Sequence, residues 1–386
     1  MVAPLLLALS MASADTGRFA AIGRYLEESV QKGAFPGAVV AIGRHDTVLY
    51  EAAVGRMDFG GGAAMTDSTV FDLASLTKVV GLTTAMMMLV EQHRVDLDAP
   101  AQRYVPAFHD GTVTVRQLLT HSSGLPAWKP FYLTVRPNDS VPARSSAIDR
   151  LRAKMFALVN AEPLEAPPGT RMVYSDLGAM VLTQVVEHVT GERLDRWLAA
   201  HVFGPLGMGD TRYRPPASWL PRIAPTELDT AWRGRMVHGE VHDENAASMG
   251  GISGHAGLFS TAPDLARFAE FMLGSLEGRR AARAPAPAGL PDSATIALFT
   301  HVQDSAFSNR ALGWEKPTGQ NSAGSKLTAR AFGHTGFTGT SIWIDPGQDL
   351  FIILLTNRVH PTRENTQVFE VRRRVADMAV EVAGAP

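Results

Sequence analysis

Hydrophobic and polar positions divide this chain into strand-like ends and a helix-like middle. Residues 37–55, GAVVAIGRHDTVLYEAAVG, hold two short aliphatic runs parted by His45-Asp46, which predicts a hairpin. Toward the other end, the β-branched and aromatic run beyond Gly339 and the run DLFIILLTN flank Pro346-Gly347 and predict a second antiparallel hairpin. Residues 16–33 read as an amphipathic helix, the stretch to about residue 300 as mainly helical with loops, and the segment from about Thr362 to Val382 as a last helix. Strands at both ends with helices between predict an α/β (α+β) fold. One sheet is built from the two chain ends (residues 15–71 and 301–386), with a mainly helical domain inserted over residues 72–300.

Two helical segments carry most of the chemistry. DLASLTKVVGLTTAMMMLVEQ begins at Asp72, a candidate N-cap, and is apolar nearly all round, so it should be buried. LGAMVLTQVVEHVTG follows a Pro-Gly turn and closes at Gly191, a candidate C-cap. The Pro-rich stretches at 213–225 and 281–292 read as loose connections.

Three short motifs lie in order on this frame: Ser75-Leu76-Thr77-Lys78, Tyr174-Ser175-Asp176 and His334-Thr335-Gly336. A serine hydroxyl needs a base to remove its proton. Lysine three residues on shares its helix face and can supply one. Burial on an apolar helix should lower the pKa of Lys78 and make it a better base. Ser75 near a helix start would have free N–H groups facing developing negative charge. Tyr174, on a loop entering a helix, could take and return a proton, sharing it with Lys78. The glycines at 333, 336 and 339 suggest a strand that a substrate backbone approaches closely, with an N–H offered to an oxyanion.

With FDLASLTK, LLTHSSGLP, PPGTRMVYSD, VFGPLGMGDTRY, GHAGLFSTAPDLARF, LGW and GHTGFTGTSIWIDP in this order, the chain resembles the serine β-lactamase and penicillin-binding-protein-like superfamily. The likeness is to the branch of class C β-lactamases, DD-peptidases and esterases. It implies a β-lactamase/transpeptidase-like fold with the active site in the cleft between sheet and helical domain. By that resemblance Ser75 is the nucleophile, and Lys78 and Tyr174 share the base and acid duties. The backbone N–H groups of Ser75 and Phe337 form the oxyanion hole, and Thr335 and Gly336 bind substrate. Asp176 would face an amide of the substrate, and His334 would orient Tyr174 or bind a carboxylate in its charged form. Class C β-lactamases carry Lys at the position of His334, and many carry Asn at that of Asp176. Both differences favour an ester or a D-alanyl peptide over a β-lactam. The alternatives are a class C-like β-lactamase and a penicillin-binding sensor that acylates without turning over.

Composition narrows this further. A net charge of −2 gives no basic footprint for nucleic acid. No stretch is long and apolar enough to span a membrane. Cysteine is absent, which excludes disulfides and thiolate metal sites. The short apolar run ending in Ala12-Ser13-Ala14 predicts a signal peptide over residues 1–14, cut before Asp15, and hence a periplasmic or secreted protein. His238, His242, Asp243, Glu244 and His255 should brace a loop at the cleft rather than bind metal, and His121 should likewise fix a loop. The expected partner is a small-molecule or peptide acyl substrate; no cofactor is expected, and the protein is expected to be a monomer.

Overall fold

The computed structural model describes residues 5–136, 145–276, 278, 289–303, 308–319 and 321–384. Both expected hairpins form. β1 (Gly37–Arg44) and β2 (Thr47–Gly55) pair antiparallel across His45-Asp46. β3 (Phe332–Thr335), β4 (Ser341–Asp345) and β5 (Leu350–Thr356) follow near the C-terminus. All five join one antiparallel sheet in the order β2-β1-β5-β4-β3, so the two chain ends meet at its centre.

Period-two alternation decides what covers each face. Val39 and Ala41 of β1, with Phe351, Ile353 and Leu355 of β5, face the large core shared with the helical layer. Ala38, Val40 and Ile42, with Leu350, Ile352 and Leu354, face a second core. Five helices matter to the site: α1 (Leu5–Gln31), α2 (Thr84–Glu91), α3 (Asp176–Thr190), α4 (Ala262–Leu276) and α5 (Val368–Ala383). Phe19, Ile22 and Leu26 of α1 and Val371, Val375 and Ala379 of α5 close the second core, while α4 packs on β1 and β5 from the other side. The middle of the chain is mainly helical, and Gly191 ends α3 in the left-handed conformation expected of a C-cap (φ 73°).

Some expectations shift. The first helix, expected over residues 16–33, runs from Leu5 to Gln31. The last helix starts at Val368, not near Thr362. Arg363 is drawn instead to Glu227 and Glu244, and Asn365 donates to the Gly33 carbonyl, which holds this stretch out of the helix. Of the Pro/Ala-rich connection, residues 281–288 lie outside the described residues.

Candidate active site

Asp72 is not the cap of the Ser75 helix. It ends a two-residue strand, Phe71-Asp72, paired with Leu258–Ser260. Its carboxylate accepts from the Ala74 N–H at 2.8 Å and from the His242 N–H at 2.6 Å, while burial pushes its carboxyl above the ordinary range. The chain then turns sharply at Ala74, which sits in the left-handed region (φ 45°) and costs strain for any residue with a Cβ. Ser75 therefore projects from the turn rather than from inside a capped helix. The following segment, Lys78–Thr83, winds as a wide π-turn before α2, a distortion frequent at functional sites.

Lys78 lies behind Ser75 and is 3% exposed, which leaves its ammonium wholly dependent on protein partners. Nζ donates to Ser75 Oγ at 2.8 Å and to the His255 carbonyl at 3.0 Å, and pairs with Asp176 at 2.6 Å. Burial does work to lower its pKa, as the sequence suggested. Asp176 and then Tyr174 outweigh burial and hold it above its ordinary value. Lys78 thus rests as an ammonium. Asp176, expected to face a substrate amide, lines the cleft as the first residue of α3 and is also the counter-ion of Lys78.

Tyr174 is held by the loop that enters α3. Ser175 caps α3 by accepting from the Gly178 N–H at 3.2 Å, and its hydroxyl donates to the Pro126 carbonyl at 2.6 Å. His121 fixes the same loop: its Nδ1 accepts from the Ser175 N–H at 3.1 Å and its ring lies 4.6 Å from that of Tyr174. Burial pushes the Tyr174 phenol up, and Lys78 opposes it. The hydroxyl is enclosed and completes no hydrogen bond, although Lys78 and Ser75 are near enough to act on its charge.

The third motif lies at the sheet edge. The outer side of β3 is bonded at Gly333 to Glu315, leaving the edge open only from Thr335 onward. His334 is 2% exposed, its Nδ1 bonds the Thr335 carbonyl at 2.8 Å, and its ring lies 5.7 Å from Tyr174. Burial, then Arg310 and Lys78, hold its pKa well below the usual value. At rest it is therefore held toward the neutral imidazole, not the charged form expected to bind a carboxylate. The glycines serve the protein's own packing. A Cβ at Gly336 would lie 2.1 Å from Thr340 Oγ1 and 2.4 Å from the Leu73 carbonyl, and one at Gly333 would meet Trp343 at 2.4 Å. This close approach, with hydrogen bonds from Thr338 to the Asp72 carbonyl (2.7 Å) and from Thr340 to that of Leu73 (3.0 Å), clamps the hairpin onto the turn carrying Ser75. Gly336 spends its own groups on Thr340 and Arg372. Among the described residues the amides of Ser75 and Phe337 donate to no protein group, and both residues line one cleft.

The model of the family described as Beta-lactamase matches residues 22–377. The chain belongs to this family. An N-acetylmuramyl-L-alanine amidase of Bacillus subtilis is 32% identical, covering 96% of this chain and 88% of its own. A putative D-alanyl-D-alanine carboxypeptidase of Escherichia coli is 31% identical over 90% of this chain and 85% of its own. In fold the chain is similar to EstCE1, described as a hydrolase with promiscuous acyltransferase activity, with a TM-score of 0.72, 23% identity and coverage of 94% and 99%. The chain is a serine hydrolase of the Beta-lactamase family.

In this Beta-lactamase family member the cleft holds about 630 Å³ and takes one wall from each layer. Trp128, Phe337 and Phe369 present half-exposed rings to it, among Arg310, Arg358 and Arg363. The histidines beside it are each occupied: His238 with the Ile223 carbonyl (2.9 Å), His242 with Glu227 (2.8 Å) and His255 with Asp243 (2.8 Å). Asp243 and His255 brace Lys78 from behind, through the His255 carbonyl. Sequence reasoning passed over Arg310 and Glu315, which lie against Tyr174 and β3. Their nearest signal was the LGW string between them.

Proposed function

We propose that the chain cleaves an ester or amide through an acyl-enzyme on Ser75, with a D-alanyl peptide or a small acyl ester as substrate in preference to a β-lactam. The observation that carries this is the 2.8 Å contact of Lys78 Nζ with Ser75 Oγ, beside an enclosed phenol and two unspent amides. Ser75 Oγ attacks the carbonyl carbon as its proton passes to the Lys78–Tyr174 pair. The amides of Ser75 and Phe337 receive the oxyanion. The proton then leaves with the departing amine or alcohol, and water repeats the sequence in reverse roles to free the acid. Because Lys78 rests as an ammonium, the active form is the one in which this pair has lost a proton, so activity should rise with pH.

Support for a peptide-like substrate comes from the charged, aromatic walls of the cleft and from relatives named as a carboxypeptidase and an amidase. Hydrolysis of p-nitrophenyl acetate, a D-alanyl-D-alanine peptide and nitrocefin, in wild type and Ser75→Ala, tests the reading. Ester or peptide turnover that needs Ser75, with little nitrocefin signal, is expected. Turnover undiminished in Ser75→Ala would overturn the mechanism, and fast nitrocefin turnover would overturn the substrate preference.

A further inference from the structure

Tyr174 lies between two cations, only one of which belongs to the three motifs. Lys78 Nζ is 4.9 Å from the centre of its ring, and the Arg310 guanidinium carbon is 5.0 Å from it. Arg310 comes from the segment just before β3, far from both other motifs in sequence. Its residue is 7% exposed, too enclosed for a surface charge. One nitrogen, Nη2, pairs with Glu315 at 2.6 Å, whereas Nη1 is buried with no hydrogen-bond partner. A buried guanidinium that leaves a nitrogen unpaired incurs a desolvation cost, and such exceptions in folded proteins call for a reason. A loop tie to Glu315 alone could be made at the surface without that cost.

We propose that Arg310 is a positioning residue for the reaction: a second cation that lets the Lys78–Tyr174 pair give up the proton it must lose before it can accept the proton of the Ser75 hydroxyl. A positive charge against the phenol favours its anion, and the same charge disfavours the Lys78 ammonium. Both effects act in one direction, so the inference holds whichever of the two groups takes the Ser75 proton. It rests on the Ser75 acyl-enzyme reading only for its kinetic consequence.

The other groups around Tyr174 are accounted for. Asp176 faces it from α3 and opposes Arg310 by favouring the protonated pair. His121 and His334 flank the ring, and both are held neutral by burial and by Arg310 and Lys78. Glu315 compensates part of the guanidinium charge, and the Asp243–His255 pair stands behind Lys78. Arg372 lies beyond His334, and burial lowers its pKa to about 9.

The test is the pH dependence of kcat/KM, with the Tyr174 ring followed in parallel by ¹³C NMR of tyrosine-labelled protein, assigned through Tyr174→Phe. Arg310→Met should move the acid limb and the phenol titration to higher pH by roughly one unit, and Arg310→Lys should restore both. Glu315→Gln, which frees the full guanidinium charge, should move both to lower pH. Lower activity in Arg310→Met with neither curve displaced would reduce Arg310 to a packing residue and overturn the proposal. If Arg310→Met fails to fold, Glu315→Gln decides alone, and an unmoved limb there overturns it. Should Ser75→Ala retain turnover, the acyl-enzyme reading falls, and the NMR titration still judges Arg310.

Discussion

At the scale of single residues, Asp176 sets the charge state of the site. Its carboxylate lies 2.6 Å from Lys78 Nζ and raises the proton affinity of Lys78 and of Tyr174. Asp176→Asn removes that charge while keeping the shape. Lys78 then releases its proton more readily, so the acid limb of kcat/KM should move to lower pH. A limb that stays in place would mean that the pair does not control activation. Lys78→Ala and Tyr174→Phe should each lower kcat by several orders of magnitude. Because they handle one proton, the double variant should fall far short of the sum of their barriers. A simple sum in the double variant would show two independent roles.

At the scale of elements, the hairpin of β4 with its neighbours acts on catalysis through its contact with the Ser75 turn. Gly336→Ala would thrust a methyl at the Leu73 carbonyl, where the obstacle is backbone and has little room to yield. Lifting the hairpin displaces the Phe337 amide, and loss of one oxyanion donor lowers kcat about 100- to 1000-fold. KM should change far less. A kcat within threefold of wild type would show that the hairpin contact does not position that amide. The same elements mark what could be read beforehand. Alternation and turn residues located both hairpins, and the apolar stripe with Gly191 located α3, because these signals are local. The Asp72 cap was misread because its carboxylate is claimed by His242, 170 residues away in the chain. The glycines of the third motif pointed to a close approach, but sequence could not say that the approaching backbone was Leu73. Charge states were least legible. Lys78 as an ammonium depends on Asp176, and His334 as a neutral ring on burial and then on Arg310, all of them set only in the folded chain.

At the scale of the whole molecule, the cleft depends on a junction between the C-terminal segment and the 223–245 region. Glu227 accepts from Arg363 Nη2 at 2.6 Å and from His242 at 2.8 Å, and Arg363 also reaches Glu244 at 2.7 Å. Arg363 and Phe337 then line the cleft wall together. Burial alone would push the Glu227 carboxyl up, but hydrogen bonds from His242 and Arg363 outweigh it and hold it at about 2, against an ordinary value of 4.5. A carboxyl depressed in the folded state stabilises the fold fully above its unfolded pKa, and that contribution fades as pH falls toward the folded value. The junction should therefore be intact at neutral pH and weaken between about 4.5 and 2. Glu227→Gln keeps the packing but loses the charge-assisted bonds, at about 2 kcal/mol near pH 7. Against wild type in denaturant titrations, that difference should shrink as pH falls through this window, because protonation removes the same charge from the wild type. Equal differences at both ends of the window would mean that Glu227 acts by packing alone. The folded state would then owe its acid sensitivity to other carboxylates, and the wall of the cleft would not share in it.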